Sequence, residues 1–443
     1  MINKIKDYLF GSIFRRGATY LTLLTFVSYI LGLVRDITFA RTLGASRALD
    51  IYNSAFIVPD LLLNIFVAGA LTAAFVPVFS HMIADNDEEE AKSLASSILI
   101  SAPTLIILLA IPAFILMPFI VNIIAPGFSP EELGQLTFLS RLMLISPVIF
   151  AVSNTLGNIL ISYDKFVAYG LSPIFYNIGI IAGALASVYF GPLALVVGTI
   201  IGALLHLLVR IFGIIKSGFK LNTPLSILDS RVRQIGKLMI PRMAGQPIEQ
   251  LTFLAFTNFA SRFAVGSISM ISFARNFQSV PISIFGISFA TSVFATLSRR
   301  VAQKDHEGFI KIFKETAIIL IVLCVLSAIL LALLGPYLID FFFGGGRFTP
   351  EAVKTTATLL ALFSLSIPSE SLLHLLVRSF YAMKDTWTPI LISIPGLIFI
   401  IGLSFLLSGI LGIYALPLSY SIGSISEAVI LFIILRQKLK KLT

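Results

Sequence analysis

A succession of apolar runs, each about 20 residues or longer and separated by short charged connections, constrains this chain more than any other feature. As an α-helix, a run of that length spans the roughly 30 Å of hydrocarbon in a bilayer. Period-two alternation is absent and the runs are too long for barrel strands, so the spans are helical. Charged residues make up only 12% of the 443, about half the ~25% of a soluble domain. The expected fold is an all-α polytopic membrane protein with about twelve transmembrane helices.

The expected spans cover residues 18–43, 51–81, 92–125, 134–162, 166–190, 192–216, 233–262, 266–299, 308–343, 351–382, 387–408 and 410–436. Lys and Arg crowd one side of this arrangement, about 21 against about five, which places both termini in the cytoplasm by the positive-inside rule. The net charge of +10 has the same cause and does not point to nucleic acid. Gly44 and Pro59 recur as Gly266 and Pro281, 222 residues on. Pro147, Asp164, Gly191, Ala194 and Gly202 recur as Pro368, Asp385, Gly412, Ala415 and Gly423, 221 residues on. Two like-oriented repeats of six helices follow, a plan typical of transporters. The expected organisation is an amphipathic N-terminal segment (1–17), an N-lobe (18–216), a cytoplasmic linker (217–232), a C-lobe (233–436) and a basic cytoplasmic tail (437–443).

Metal and enzyme chemistry find little support. The lone Cys324 lies in an apolar run and reads as a packing residue, and the four histidines form no ligand pair. An intramembrane transferase or phosphatase would need a metal or acid–base constellation outside the spans. The one acidic run there, DNDEEE at 85–90, reads as a solvated loop. No metal and no cofactor is expected.

Ionisable groups inside spans are costly and mark cavities or pathways. In LGLVRDITFAR (31–41), Arg35 lies about eight residues, or roughly 12 Å, from the outer end of the first span. Thr22, Thr25, Tyr29, Gly32 and Asp36 form one stripe of that helix, and Arg35 joins its edge. Either the stripe lines a cavity, or Arg35 and Asp36 satisfy each other or a neighbouring helix. Side chains of adjacent residues point about 100° apart, which argues against direct mutual pairing. In the seventh span Arg242, Gln246 and Glu249 share a face between Pro241 and Pro247, with Arg242 either a cavity residue or an anchor at the cytoplasmic edge. Arg275 in the eighth span lies near the depth of Arg35, and Asn64 is a single amide in the second. Glu370, His374 and Arg378 mark a polar face on the tenth span that a helix–helix network explains as well as a ligand does. Guanidinium groups at this depth recruit an anion, and their planar fork favours a phosphate or diphosphate.

The segments LGLVRDITFARTLGAS (31–46), VPDLLLNIFVAGALTAAFVPVFS (58–80), FQSVPISIFGISFATSVFATLSR (277–299) and RSFYAMKDTWTPI (378–390) resemble the MurJ/MviN family of lipid II flippases. The resemblance implies two lobes forming a V around a central cationic cavity that takes the diphosphate and sugar-peptide head group of a polyprenyl-linked peptidoglycan precursor. It further implies alternating access in the bacterial inner membrane, driven by a coupling ion or the membrane potential. Arg35 and Asp36 match the family's arginine–aspartate motif at the head-group site. The chain departs from the pattern elsewhere: Leu63 and Asn64 stand where two arginines are usual, Ala68 where a glutamate is, and Asn276 in the arginine column, with Arg275 one place earlier. Two further helices present in many relatives are not expected here, and the eleventh span offers no carboxylate or amide for a sodium site. The alternative is a cation-coupled multidrug exporter or another polysaccharide–lipid exporter of the same superfamily, in which cavity carboxylates should outweigh arginines.

Overall fold

A computed structural model describes residues 13–65, 70–85, 87–223, 229–243 and 247–440. Regular structure among these residues is helical, apart from one isolated bridge between Gly345 and Phe348. By contact the chain divides into two units, residues 1–43 with 47–250, and residues 44–46 with 251–443.

The first unit contains α1 (Ile13–Thr42), α2 (Arg47–Ala55), α3 (Ile57–Leu63), α4 (Ala70–Ala84), α5 (Glu88–Ile124), α6 (Pro130–Met143), α7 (Ile145–Ser162), α8 (Phe166–Phe190), α9 (Pro192–Ser217) and α10 (Ser230–Met243). The second contains α12 (Ser267–Pro281), a π-helical turn (Ile282–Ile287), α13 (Ser288–Ala302), α14 (His306–Phe343), α15 (Pro350–Ser364), α16 (Ile367–Ala382), α17 (Trp387–Leu411), a 3₁₀ turn (Gly412–Tyr414) and α18 (Ala415–Lys440). Helix α11 (Pro247–Ala260) begins four residues before the division.

Among the described residues eight helical segments are long and apolar enough to cross a membrane, or nine if the pair α15–α16, bent by 42°, is one span. Trp387–Lys440 counts once in that tally. Its 3₁₀ turn folds α18 back onto α17, which packs along it, so the stretch supplies both spans expected there. The expected spans 51–81 and 233–262 each fall on more than one described helix; residues 66–69 and 244–246, among them Ala68 and Gln246, lie outside the described set. The expected N-terminal segment lies outside it through residue 12, and residues 13–17 are the start of α1 rather than a separate helix. Residues 224–228 of the linker and 441–443 of the tail are likewise outside.

Proline positions show how the sequence shapes these helices. Pro118 in α5 has no N–H to offer the carbonyl of Phe114, four residues earlier. Arg141 of α6 takes over, donating its Nε–H to that carbonyl at 2.9 Å and lying over the Phe114 ring. The acidic run is not a loop throughout: Glu88, Glu89 and Glu90 form the first turn of α5, where the helix dipole favours them. Glu90 also pairs with Arg231, and Glu89 accepts from Asn222, so the described part of the linker is tied to the first unit.

The repeat is visible in the backbone. Gly44 and Gly266 both take left-handed conformations (φ 67° and 87°), as do Gly191 and Gly412 (φ 70° and 56°). A side chain at those turns would be strained. Each unit has its own apolar core, around Phe75, Phe79, Leu160 and Phe219 in the first and around Phe309, Cys324, Leu375 and Phe380 in the second. Cys324 is buried, the packing role its setting suggested.

Candidate functional site

Helix α1 carries Arg35 and Asp36 in its last third, and the two are bonded directly. Arg35 donates from Nε (2.9 Å) and Nη2 (2.8 Å) to a single oxygen, Oδ1, of Asp36. The expectation that adjacent side chains point too far apart to pair is therefore corrected. The separation of about 100° applies to the Cβ directions, and the long arginine stem bends round it. Asp36 is 9% exposed at its side chain and Arg35 27%, so the guanidinium keeps an accessible face. The edge it gives to Asp36 is the one that suits two oxygens of a phosphate.

Aromatic contacts join α1 to α2. The Arg35 guanidinium lies 6.0 Å from the centre of the Phe39 ring, Phe39 meets Tyr52 edge-on at 5.4 Å, and Tyr52 meets Phe56 at 5.0 Å. Phe56 is itself in the helical region and joins α2 to α3, and its carbonyl accepts the Asp60 N–H at 2.8 Å. Tyr52, Phe56, Asp60 and Asn64, each four residues apart, thus share one face. Asp60 and Asn64 are half-buried there, and the charge of Arg35 acts on Asp60.

The other wall comes from α8 and α9, which approach backbone to backbone. A Cβ on Gly183 would stand 2.8 Å from Gly198 Cα, and one on Gly198 would stand 2.8 Å from Gly183 N. Small residues at such a seam permit close helix packing. The seam fixes Thr199, whose hydroxyl shares a 2.8 Å hydrogen bond with the buried Tyr52 hydroxyl. Tyr176 on α8 is also within electrostatic range of Arg35, Tyr52 and Asp60. The cluster therefore holds one guanidinium, two carboxylates and two phenols, drawn from α1, α2, α3 and α8.

The remaining sequence candidates are dispersed. Tyr29 is 65% exposed on α1, two turns from Asp36. In the second unit Arg275 lies half-buried over the Phe253 ring, 3.0 Å from its centre, while the neighbouring Asn276 is exposed. Glu249 is exposed in the first turn of α11, and the side chain of Arg242 lies outside the described set. Glu370 accepts from Gln278 Nε2 at 2.8 Å, and Arg378 donates to Thr291 Oγ1 at 2.8 Å. The polar face of α16 thus takes part in helix–helix contacts. Among the described residues no group of three or more His, Cys, Asp or Glu is arranged to hold a metal ion.

Sequence reasoning missed Asp60, Tyr52 and Tyr176. Asp60 lies within the quoted VPDLLLNIF, and the available signal was a charged residue four places before Asn64 on the same helical face.

Two helical units carrying paired turns, with a guanidinium–carboxylate cluster inside the apolar spans of the first, define a multi-pass membrane protein of a transporter fold. Among solved structures, the chain matches an inward-facing multidrug resistance MATE family transporter of the MOP superfamily (TM-score 0.79, 13% identity, 96% of this chain and 98% of that one), a likeness of fold. It also matches lipid II flippase MurJ in its inward closed conformation (TM-score 0.79, 26% identity, 95% and 89%). Its sequence is 31% identical over 373 residues to the probable lipid II flippase MurJ of Buchnera aphidicola subsp. Acyrthosiphon pisum (strain APS), covering 83% of this chain and 73% of that protein. The family model for lipid II flippase MurJ matches residues 39–443, and the chain belongs to that family.

Proposed function

We propose that this protein is a lipid II flippase, carrying the polyprenyl-diphosphate-linked peptidoglycan precursor from the inner to the outer leaflet of the bacterial cytoplasmic membrane. It does so by alternating access, with both termini in the cytoplasm and no enzymatic step. The observation that carries this reading is Arg35: a partly accessible guanidinium inside a span, in a chain that matches the flippase family from residue 39 onward. A diphosphate oxygen pair replaces Asp36 Oδ1 on the Nε–Nη2 edge, exchanging one charge-assisted contact for another. Asp36 then serves as the resident anion that holds the guanidinium in place between cycles. Asn64, one turn beyond Asp60, supplies an amide to the head group, and Arg275 is assigned to the translocation path in the second unit. Tyr29, Arg242, Glu249 and Asn276 complete the set assigned to the translocation path.

A second reading, a cation-coupled exporter, draws on Asp36 and Asp60, which give the first-unit cluster more carboxylates than guanidinium groups. Depleting a bacterium of its own lipid II flippase, with this chain as sole replacement, separates the two. Growth with continued surface exposure of precursor is expected. An inserted chain that exports dyes but leaves the precursor inside would establish the second reading instead.

A further inference from the structure

Glu427 is a carboxyl group of the second unit that the flippase reading does not use. It lies halfway along α18, nine residues, or about 14 Å, before Arg436. Its seat is on α17, two turns in from Trp387. Ser393 Oγ donates to Oε1, and a Cβ on Gly396 would stand 3.3 Å from Oε2. Glycine thus leaves the room that the carboxyl group fills, half-buried between the two helices.

The first unit shows what this place lacks. Where the second unit has Ser393, Glu427 and Leu431, the first has Ser172, His206 and Arg210, and Arg210 donates to Ser172. Leu431 removes that cation, and the elements packed on α18 supply no substitute. Helix α17 contains no charged residue. On α16, Arg378 is turned to Thr291 and Glu370 accepts from Gln278, while His374 stands half-buried where the first unit has Ser153. The charges of α15, Glu351 and Lys354, sit in its first turns. Helix α14 meets α18 through Phe313 and Phe432, and its charges lie toward its two ends, from His306 to Glu315 and at Asp340. In α18 itself Arg436, Lys438 and Lys440 belong to the C-terminal end, where Lys438 pairs with Asp385. Tyr420 lies two turns the other way, among Phe253, Phe256 and Phe363. Among the described residues no cation pairs with Glu427.

An ionisable group held inside a span marks a proton relay or an ion pathway. A lysine or arginine partner would fix a carboxylate in its charged form. A hydroxyl serves both forms, donating to the carboxylate and accepting from the acid. A hard metal cation takes about six oxygen ligands, whereas Glu427 has its own carboxyl group and one hydroxyl beside it, which suits a proton.

Resting on the flippase reading, we propose that Glu427 is the proton-binding carboxylate through which flipping is coupled to a proton gradient. A proton from the outer side adds to the carboxylate and gives the neutral acid. The acid releases it to the cytoplasmic side and regenerates the carboxylate, as lipid II moves the opposite way.

The test uses the full-length protein in liposomes with labelled lipid II in the inner leaflet and the membrane potential clamped by potassium and valinomycin. Exposure of the label at the outer leaflet and uptake of protons are followed together, with the medium outside either acidified or matched to the interior. The native protein should expose the label several-fold faster under the gradient and take up protons as it does so. Glu427→Gln, inserted in equal amount, should show neither response, while Glu427→Asp should keep both. Equal rates of the native protein with and without the gradient overturn the assignment without recourse to any variant. A response undiminished in Glu427→Gln overturns it as well, including one that disappears instead in His374→Gln. No exposure by the native protein under either condition overturns the flippase reading, and this inference with it.

Discussion

Helices α7, α8 and α9 of the first unit and α16, α17 and α18 of the second occupy equivalent places in the repeat, yet they are held together differently. The seam glycines Gly179, Gly183, Gly198 and Gly202 correspond to Ile400, Ser404, Ser419 and Gly423. In the first hairpin backbone meets backbone; in the second, a Cβ on Gly423 would meet the Ile400 side chain. Charge has also changed places. Arg210 on α9 is 3% exposed and lies against Gly157 of α7, where a side chain would collide with its guanidinium. At the equivalent positions the second unit has Leu431 and Arg378. Arg210 donates from Nε to Ser172 Oγ at 2.9 Å and from Nη1 to the Ser153 carbonyl and Asn154 Oδ1, each at 2.8 Å. Ser393, the counterpart of Ser172, instead donates to Glu427. A hydroxyl can act in either sense, so one slot accepts a cation in one repeat and a carboxyl group in the other.

The turns and helix directions are thus common to both repeats, while the polar contents belong to each unit separately. The difference bears on the site, because the narrow seam in the first hairpin is what sets Thr199 against Tyr52.

The largest effect should come from widening that seam. Gly198→Val would force apart helices whose backbones already touch, at a cost on the order of 3 kcal/mol, and should lower the thermal midpoint sharply and reduce the folded yield. Ser419→Val, at the equivalent place in the second hairpin, changes a buried side chain that the packing already accommodates by about one methyl group and should lower the midpoint much less. Equal losses would remove the distinction between the two hairpins.

A smaller effect is expected at the displaced cation. Arg210→Met removes a buried guanidinium and leaves Ser172, the Ser153 carbonyl and Asn154 without their donor. Each buried polar group so orphaned costs about 1–3 kcal/mol. Pairing it with Gly157→Ala, which fills the space vacated by the guanidinium, should recover part of the loss. A double variant no more stable than Arg210→Met would show that the Gly157–Arg210 fit is incidental.

The smallest effect lies outside the spans. Asp385, before α17, accepts from the Thr388 N–H (3.0 Å), the Thr388 hydroxyl (2.7 Å) and Lys438 of α18 (2.5 Å). Burial alone would raise its pKa; the Lys438 and Thr388 hydrogen bonds outweigh that and hold it down at about 2. The folded value is thus below the unfolded one, about 3.9. Its contribution is therefore present above pH ~4 and lost as pH falls toward 2. Thermal midpoints measured from pH 5 to pH 2 should fall less steeply in Asp385→Asn than in the native protein. In the first repeat Val167 and Ser217 stand where Thr388 and Lys438 do, so the hydrogen-bond partners of Asp385 have no counterpart beside Asp164.

Much of this architecture can be read from the chain itself. Apolar run length gives the helices, and the recurrence of Gly44, Gly191 and their partners gives the paired turns. Arg35 and Asp36 stand out because charge inside a span is costly. Their direct bond does not, since it depends on how an arginine stem bends and not on where Cβ points. Asp60 is legible as a charge, but its setting is not: Arg35 is 25 residues away and Tyr176 is 116 away, brought near by the packing of α1 and α8. Arg141 illustrates the same limit, because its partner is a carbonyl exposed by a proline in another helix.

The central claim is that the Arg35 guanidinium receives the diphosphate of the transported lipid. The direct measurement reconstitutes the native protein and Arg35→Ala in liposomes with labelled lipid II and follows exposure of the label at the opposite leaflet. The native protein should expose it, and Arg35→Ala, inserted in equal amount, should not. Equal rates of exposure by the two proteins would contradict the account.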